Sequence, residues 1–307
     1  MVKKTKKPRV RRFSQKKGVI TFLRDNPWAV GIIGTAIAAI LVVAVRFYFV
    51  ERRAEKIAKT ALTARVNNAD EFLEKNMIDD ALAIYQHVLK TVPVRKYPEI
   101  YAHIKTNEGI CYCKLAYVGD KEENLRRAIR AYEEALRIYT VEKYPVNYAI
   151  TQNNLGTAYT ALAEVRNKEE NLTKAIRAHK EALKIRTIEK YPLDYAMTQN
   201  NLGTAYTTLA EVRNKEENLT KAIRAYEEAL RITTIEKYPL DYTTTQNNLG
   251  NAYTTLAKVR NKEENLTKAI RAYEEALRIT TIEKYPLYYE RIMSNVSKAK
   301  QKMKNEY

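Results

Sequence analysis

Two patterns of apolar and polar positions divide this chain. The first is an uninterrupted apolar run, WAVGIIGTAIAAILVVAV from Trp28 to Val45, eighteen residues without a charge. The second begins near residue 62, where apolar residues recur at intervals of three and four, the signature of amphipathic helices. Within residues 195–241 one stripe is Leu202, Ala205, Tyr206, Leu209 and Val212, and a second is Leu219, Ala222, Ile223, Tyr226, Ala229 and Leu230. Arg213-Asn214-Lys215 separates them. Asn218 is expected to cap the second helix by accepting a bond from free backbone amides. Tyr238-Pro239 is expected to end it, because proline disfavours helical geometry in the residue before it. The unit predicted is helix–turn–helix.

That unit repeats. Residues 198–244 match Thr151–Met197 at all but seven positions (161, 179, 180, 184, 186, 196 and 197), and a third copy starts at Thr245. Ala81, Ala128, Ala175, Ala222 and Ala269 are each 47 residues apart, as are Gly109, Gly156, Gly203 and Gly250, with Ser297 continuing the series. Self-similarity at this spacing predicts a stacked array whose units bury their apolar faces only against neighbours. Ile292, Val296 and Ala299 continue the first-helix pattern, while Lys298, Lys300, Lys302 and Lys304 keep the other side wet, so a capping helix is expected there.

Leu202-Gly203 and Tyr206, followed by Ala222, Tyr226 and Ala229, resemble the signature positions of the tetratricopeptide repeat. The same set recurs as Leu155-Gly156/Tyr159 with Ala175/His179/Ala182, as Leu249-Gly250/Tyr253 with Ala269/Tyr273/Ala276, and more loosely as Gly109/Tyr112 with Ala128/Tyr132/Ala135. Ala69/Phe72 with Ala81/Tyr85 keeps the usual spacing between helices. The departure is length. The common unit has about 34 residues; here seven extra fall between Tyr206 and Ala222 and six before the next unit. These long units look like the NNLG-containing repeats of bacterial and archaeal multi-repeat proteins and are similar to those of kinesin light chain. The resemblance covers roughly residues 62–290 and implies an all-α fold, an α-solenoid of about five units.

The apolar run is long enough to cross a hydrocarbon core about 30 Å thick. A buried soluble helix would show a polar stripe, and only Thr35 is polar here. A cleaved signal peptide would end in small residues, whereas Arg46 and the bulky Phe47-Tyr48-Phe49 follow. An uncleaved anchor is therefore expected, with Trp28 and Tyr48 at the interfaces. Ten basic residues precede it; Arg46, Arg52, Arg53, Lys56, Lys59 and Arg65 follow, which favours a cytoplasmic N-terminus and an extracytoplasmic solenoid. Gly31, Thr35 and Ala39 share one helix face and offer a route to dimerisation. The expected organisation is a basic tail (1–26), a transmembrane helix (27–50), a helical linker (51–61), units 62–100, 101–147, 148–194, 195–241 and 242–288, and a capping helix (289–307). The linker, free of Pro and Gly, is expected to run the membrane helix straight into the first unit.

Charge sharpens this picture. Of the 54 Lys+Arg against 36 Asp+Glu, ten basic residues and one acid lie in residues 1–26, half the net excess of +18. That tail could clamp anionic lipid or serve only as a topology signal. The remainder is mixed in sign, which argues against a nucleic-acid coat. Two cysteines, Cys111 and Cys113, exclude a disulfide scaffold and are expected reduced. No GxxxxGK[ST], HExxH or GxSxG segment occurs, and His87, His103 and His179 do not recur in register. A non-enzymatic protein without cofactor or metal is expected. Asn171, Asn218, Asn265 and Asn295 begin glycosylation sequons, open to modification if the solenoid is exported.

The resemblance also implies a binding face. In the tetratricopeptide family the first helix of each unit lines the groove, and asparagines of a similar segment in kinesin light chain contact bound peptide. Carried over, this makes Asn153, Asn200 and Asn247, with Asn154, Asn201 and Asn248 beside them and Thr157, Thr204 and Asn251 one turn on, the candidate peptide contacts. Asparagine both donates and accepts, which suits a peptide backbone. Alternatively, one Asn of each pair bonds a neighbouring helix and fixes the stacking. Function is thus expected to be a membrane-anchored scaffold or adaptor for a protein or peptide, or else a self-associating structural solenoid.

Overall fold

The computed structural model describes residues 21–93 and 96–304, which divide between two compact units, 1–64 and 65–307. The basic tail lies almost wholly outside the described residues. Beginning in the first unit, α1 (Pro27–Glu74) is a single helix of 48 residues, and the stretch expected as a linker is part of it. An 18-residue window reaches a mean hydropathy of 2.5, and the helix is long and apolar enough to cross a bilayer. Ile32, Ile40, Leu41, Val43 and Phe47 are exposed along it. Its one polar intruder, Thr35, donates back to the carbonyls of Gly31 (3.0 Å) and Ile32 (2.9 Å), leaving no unsatisfied hydroxyl.

The second unit is all-α among the described residues. After the end of α1 come α2 (Ile78–Thr91), α3 (Pro98–Leu115), α4 (Lys121–Leu136), α5 (Pro145–Leu162), α6 (Lys168–Leu183), α7 (Pro192–Leu209), α8 (Lys215–Leu230), α9 (Pro239–Leu256), α10 (Lys262–Leu277) and α11 (Pro286–Lys304). From α2 onward each helix packs on the next, which makes the region a repeat array of helical hairpins. Every first helix (α3, α5, α7, α9) also touches the first helix of the following unit, and no second helix touches another. The first helices therefore line the closely spaced, inner face.

Two sequence expectations about the turns are corrected. Pro239 does not end a second helix. α8 stops at Leu230, and Pro239 is the first residue of α9, as Pro98, Pro145 and Pro192 are of α3, α5 and α7. A proline costs nothing there, because the first amides of a helix have no intrahelical acceptor. Nor does Asn218 cap α8. It sits inside the first turn, buried, and its Nδ2 donates to the Arg213 carbonyl at 2.8 Å; Asn171 and Asn265 repeat this bond to Arg166 and Arg260. The cap position belongs to Asn167, Asn214 and Asn261, at φ 42°, 41° and 45°, a left-handed conformation that asparagine tolerates. The sequon amides are thus consumed: Asn171, Asn218 and Asn265 hold the turn, and Asn295 Nδ2 bonds Asn247 and Asn251.

Close approach of the paired helices rests on the glycines. A methyl at Gly203 would lie 2.6 Å from Tyr226 Cε1, and one at Gly156 2.7 Å from the His179 ring. Leu172, Leu219 and Leu266, with Ala175, Ala222 and Ala269, fill the centre of each hairpin at 0 or 1 % exposure. A leucine buried this fully contributes about 1.5–3 kcal/mol. Between units, Arg166, Arg213 and Arg260 reach back to Glu122, Glu169 and Glu216 (2.9, 3.0 and 2.7 Å), while Lys121 and Lys168 reach forward to Glu164 and Glu211. These pairs are largely exposed and each is worth little to stability, which comes instead from the buried leucines.

α11 packs on α10. Ile292, Val296 and Ala299 are buried against α10. Glu290, Ser297 and Lys300 of α11 stand in register with Ala196, Gly203 and Tyr206 of α7, and Lys304 with Ala210 just beyond it; Lys300 Nζ lies 3.2 Å from Glu274 of α10. Ala196, Gly203, Tyr206 and Ala210 are buried, whereas the four residues of α11 are exposed.

Candidate functional site

The inner face of α5, α7 and α9 is chemically uniform. Those helices carry no Lys or Arg, and their acids are Asp194 and Asp241, whereas the second helices α6, α8 and α10 alternate Lys, Arg and Glu. Amides and hydroxyls make up the rest of the inner rows. Thr157 is exposed, Thr204 and Asn251 are half-buried, and Ile150, Met197 and Thr244 form an exposed row that sequence reasoning did not single out.

The paired asparagines form a ladder between units. Asn201 Nδ2 donates to Asn153 Oδ1 at 3.3 Å, Asn248 to Asn200 at 3.2 Å, and Asn295 to Asn247 at 3.3 Å. From Asn201 onward the second Asn therefore bonds the first Asn of the unit before; ahead of Asn154 that position is Thr106. Asn153 and Asn247 are buried, while Asn200, Asn154, Asn201 and Asn248 are half-buried. Each first asparagine thus has its oxygen occupied by a rung, and the stacking role set out as an alternative is realised in these bonds. Thr157, Thr204 and Thr208 donate to carbonyls one turn back; Thr204 Oγ1 also accepts from Tyr226 at 3.3 Å, while the oxygens of Thr157 and Thr208 can accept from a ligand.

Tyrosines fix the walls of this face. Tyr101, Tyr148, Tyr195 and Tyr242 donate to Glu134, Glu181, Glu228 and Glu275 of their own hairpins at 2.8, 3.0, 2.9 and 2.7 Å. These pairs recur at the period of 47, which was the available signal in the sequence.

At the N-terminal end the face changes. His103 Nε2 lies 2.8 Å from Asp70 Oδ2, and Asp70 Oδ1 accepts from Tyr85 (2.5 Å) and Asn107 (2.8 Å). Burial alone would raise the Asp70 carboxyl, but the bonds from His103, Tyr85 and Asn107 outweigh it and hold it below the usual range. The network ties the end of α1 to α2 and α3. Cys111 is buried and its thiol is pushed up to about 12 by burial; Cys113 Sγ lies 3.7 Å from Tyr132 Oη. Among the described residues no three His, Cys, Asp or Glu side chains gather as a metal set.

The tetratricopeptide-repeat family model matches residues 203–234 and 248–281, the last two hairpins. The chain carries tetratricopeptide repeats there, and its array of hairpins is an all-α repeat fold of that kind. Solved structures similar to it include a thermophilic TPR protein of Thermus thermophilus, at 17% identity over 77% of this chain and 99% of that one, TM-score 0.49. The TPR2AB-domain:pHSP90-complex of yeast Sti1 is 17% identical over 78% of this chain and 85% of that one, TM-score 0.29. The C-terminal part of a TPR repeat-containing protein of Cytophaga hutchinsonii is 14% identical over 78% and 99%, TM-score 0.30. No curated protein matches the chain.

Proposed function

We propose that this protein is a membrane-anchored scaffold that holds an extended peptide, or an extended segment of a partner protein, along the inner face of its repeat array. The observation that carries the reading is the segregation of charge. Amide and hydroxyl rows repeat on α5, α7 and α9 without one basic residue, while the outer helices are densely charged. Such a face matches the donors and acceptors of a backbone and asks for no terminal carboxylate or phosphate. Near-identical units bind weakly one at a time and gain strength by engaging together. The candidate contacts are Thr157, Thr204 and Asn251 with the free edges of Asn154, Asn201 and Asn248; Asn153, Asn200 and Asn247 lie beneath them and hold the rows in register.

Anchoring is part of the proposal. Supporting it are the exposed apolar side chains of α1 and the internal satisfaction of Thr35. The basic tail is then cytoplasmic, and its contact with anionic lipid is a second attachment. Protease added to intact cells should digest the solenoid; digestion only after lysis would reverse the orientation.

The peptide reading is tested by a photoreactive residue placed at Thr157 or Thr244 on the inner face, and at Arg177 or Arg224 on the outer, in the full-length chain held in detergent micelles. With a random peptide library, crosslinks should form at the inner positions. Equal or greater capture at the outer positions rejects the groove. The alternative, self-association through the array, is disfavoured by the charged face of α11.

A further inference from the structure

The long units are close copies, so the places where they differ show where a general groove becomes selective. One difference falls at the mouth between successive first helices. Arg186, which follows α6, is buried; its Nη1 donates to Thr198 Oγ1 at 3.0 Å and its Nη2 lies 3.1 Å from Asp194 Oδ1. Thr198 and Asp194 belong to the first two turns of α7, so this interface carries its own arginine, seated on a carboxylate and a hydroxyl.

One unit later the seat is kept and the arginine is gone. Asp241 and Thr245 stand at the corresponding positions of α9, and Thr245 Oγ1 donates to the Asp241 carbonyl at 2.8 Å, as Thr198 does to Asp194 at 2.8 Å. The residue in register with Arg186 is Thr233, whose hydroxyl turns back to the Ala229 carbonyl at 3.0 Å. Among the described residues Asp241 has no ion pair. A cleft of about 140 Å³ opens here, lined by Met197, Asn200, Thr233, Asp241, Thr244 and Thr245. The other interfaces do not repeat it. Before α5 the position holds the buried Tyr139 opposite Asn147, and before α11 it holds Thr280 with Tyr288 in place of the aspartate.

We infer that the cleft between α7 and α9 is a subsite for a cationic side chain of the bound peptide, an arginine by preference, which takes the place that Arg186 fills in the preceding unit. The inference rests on the reading of the inner face as a peptide groove and adds its side-chain specificity. A planar guanidinium can pair with the Asp241 carboxylate while donating to the Thr245 hydroxyl, as Arg186 does to Asp194 and Thr198. Met197 and the Asn200 amide flank the entrance, the first offering apolar cover to the stem and the second a polar edge to the peptide backbone.

The test uses the full-length chain in detergent micelles and pools of random peptides whose central residue is fixed as arginine, citrulline, lysine or leucine. Citrulline keeps the shape of arginine and loses its charge. The wild-type chain should retain the arginine pool about tenfold over the citrulline pool, the ratio expected of one charge-assisted bond, with lysine between them. Two variants should bring the ratio to about one while leaving the leucine pool equally bound: Asp241→Asn, which removes the anion, and Thr233→Arg, which installs the internal arginine of the preceding unit. Unchanged circular dichroism verifies that both are folded. Equal retention of arginine and citrulline by the wild type, with leucine peptides still bound, overturns the subsite and leaves the peptide groove standing. A preference that survives both variants overturns the subsite as well. Failure to retain any pool overturns the groove itself and the subsite with it.

Discussion

Gly203→Ala tests the packing principle of the whole array, because two opposing effects can be sized from the structure. In an ordinary helix interior the change stabilises by about 1 kcal/mol, since alanine loses less chain entropy than glycine. Here the new methyl would lie 2.6 Å from Tyr226 Cε1 and 2.8 Å from Cδ1, against ordinary contact at 3.4–4 Å. The ring must retreat by nearly an ångström. It has nowhere to go, being 2 % exposed and bonded through its hydroxyl to Thr204 Oγ1 and Thr207 Oγ1, both at 3.3 Å. Overpacking of this kind costs about 1–3 kcal/mol, and displacing the hydroxyl forfeits about 1 kcal/mol more. The net expectation is a loss of about 1–3 kcal/mol. Each unit leans only on its neighbours, so the loss should concentrate in α7 and α8. Hydrogen exchange on the full-length chain in detergent micelles should show faster exchange there and little change in α3 and α4. Adding Tyr226→Leu, which removes the ring from the clash, should recover part of the loss. Unchanged or slower exchange in α7 and α8 of Gly203→Ala would mean that the helices do not need the glycine to meet.

Acid should act through His179, which is fully buried, stands where other hairpins have tyrosine, and is held down to about 3 by burial with a smaller push from Arg186. The unfolded chain takes up this proton near pH 6.5 and the folded chain does not, so stability is complete above about 6.5 and falls as pH drops toward 3, by about 1 kcal/mol per pH unit at first; His179→Tyr should flatten that slope in melting curves between about pH 7 and 5. Asn200→Ala strands the Asn248 amide and should cost about 1 kcal/mol, read as faster exchange at the α7–α9 contact, and no change there would deny the ladder a stacking role. Glu290→Ala, Ser297→Gly, Lys300→Tyr and Lys304→Ala made together rebuild on α11 the surface that α7 presents to its second helix. This variant should associate in a concentration-dependent way in sedimentation, and a species unchanged from wild type would show that those charges do not cap the array.

Much of the fold was legible because identical residues at a fixed period must occupy identical environments. The stripe Leu202, Ala205, Tyr206 and Leu209 is buried as the periodicity required, and Ile292, Val296 and Ala299 continue it as a buried face of α11. The turns were misread, for a local reason. Asn214 and Asn218 both sit near a helix start, and composition cannot say which takes the left-handed position and which turns its amide on a carbonyl. The same holds for proline, which reads equally well as the end of one helix or the opening of the next. The candidate site was legible by face but not by function of each residue. That Asn153 and Asn154 lie on the inner helix was an implication of the resemblance to tetratricopeptide repeats; that Asn201 spends its amide on Asn153 depends on the angle between successive hairpins, which only packing sets. The unpaired Asp241 was present in the sequence as the difference between Arg186 and Thr233, but it has meaning only once both are seen at one mouth.

Repetition and selectivity pull against each other in such a molecule. Strict copying gives a groove that reads any extended chain, because every unit offers the same amides and hydroxyls, and it also allows a bound chain to slide by one unit at no cost. A single broken copy removes that degeneracy. Where Arg186 gives way to Thr233, the groove acquires one position unlike the rest, and a ligand with a cation at the right place has one register that satisfies Asp241 while every shifted register strands it. At the preceding mouth the protein supplies its own cation, and the mouths before and beyond present Tyr139 and Tyr288, so the shifted registers gain nothing. On the proposed reading, the four positions following the second helices, Tyr139, Arg186, Thr233 and Thr280, would therefore do what the asparagine ladder cannot: they would give a uniform surface a fixed point from which a partner's sequence can be read.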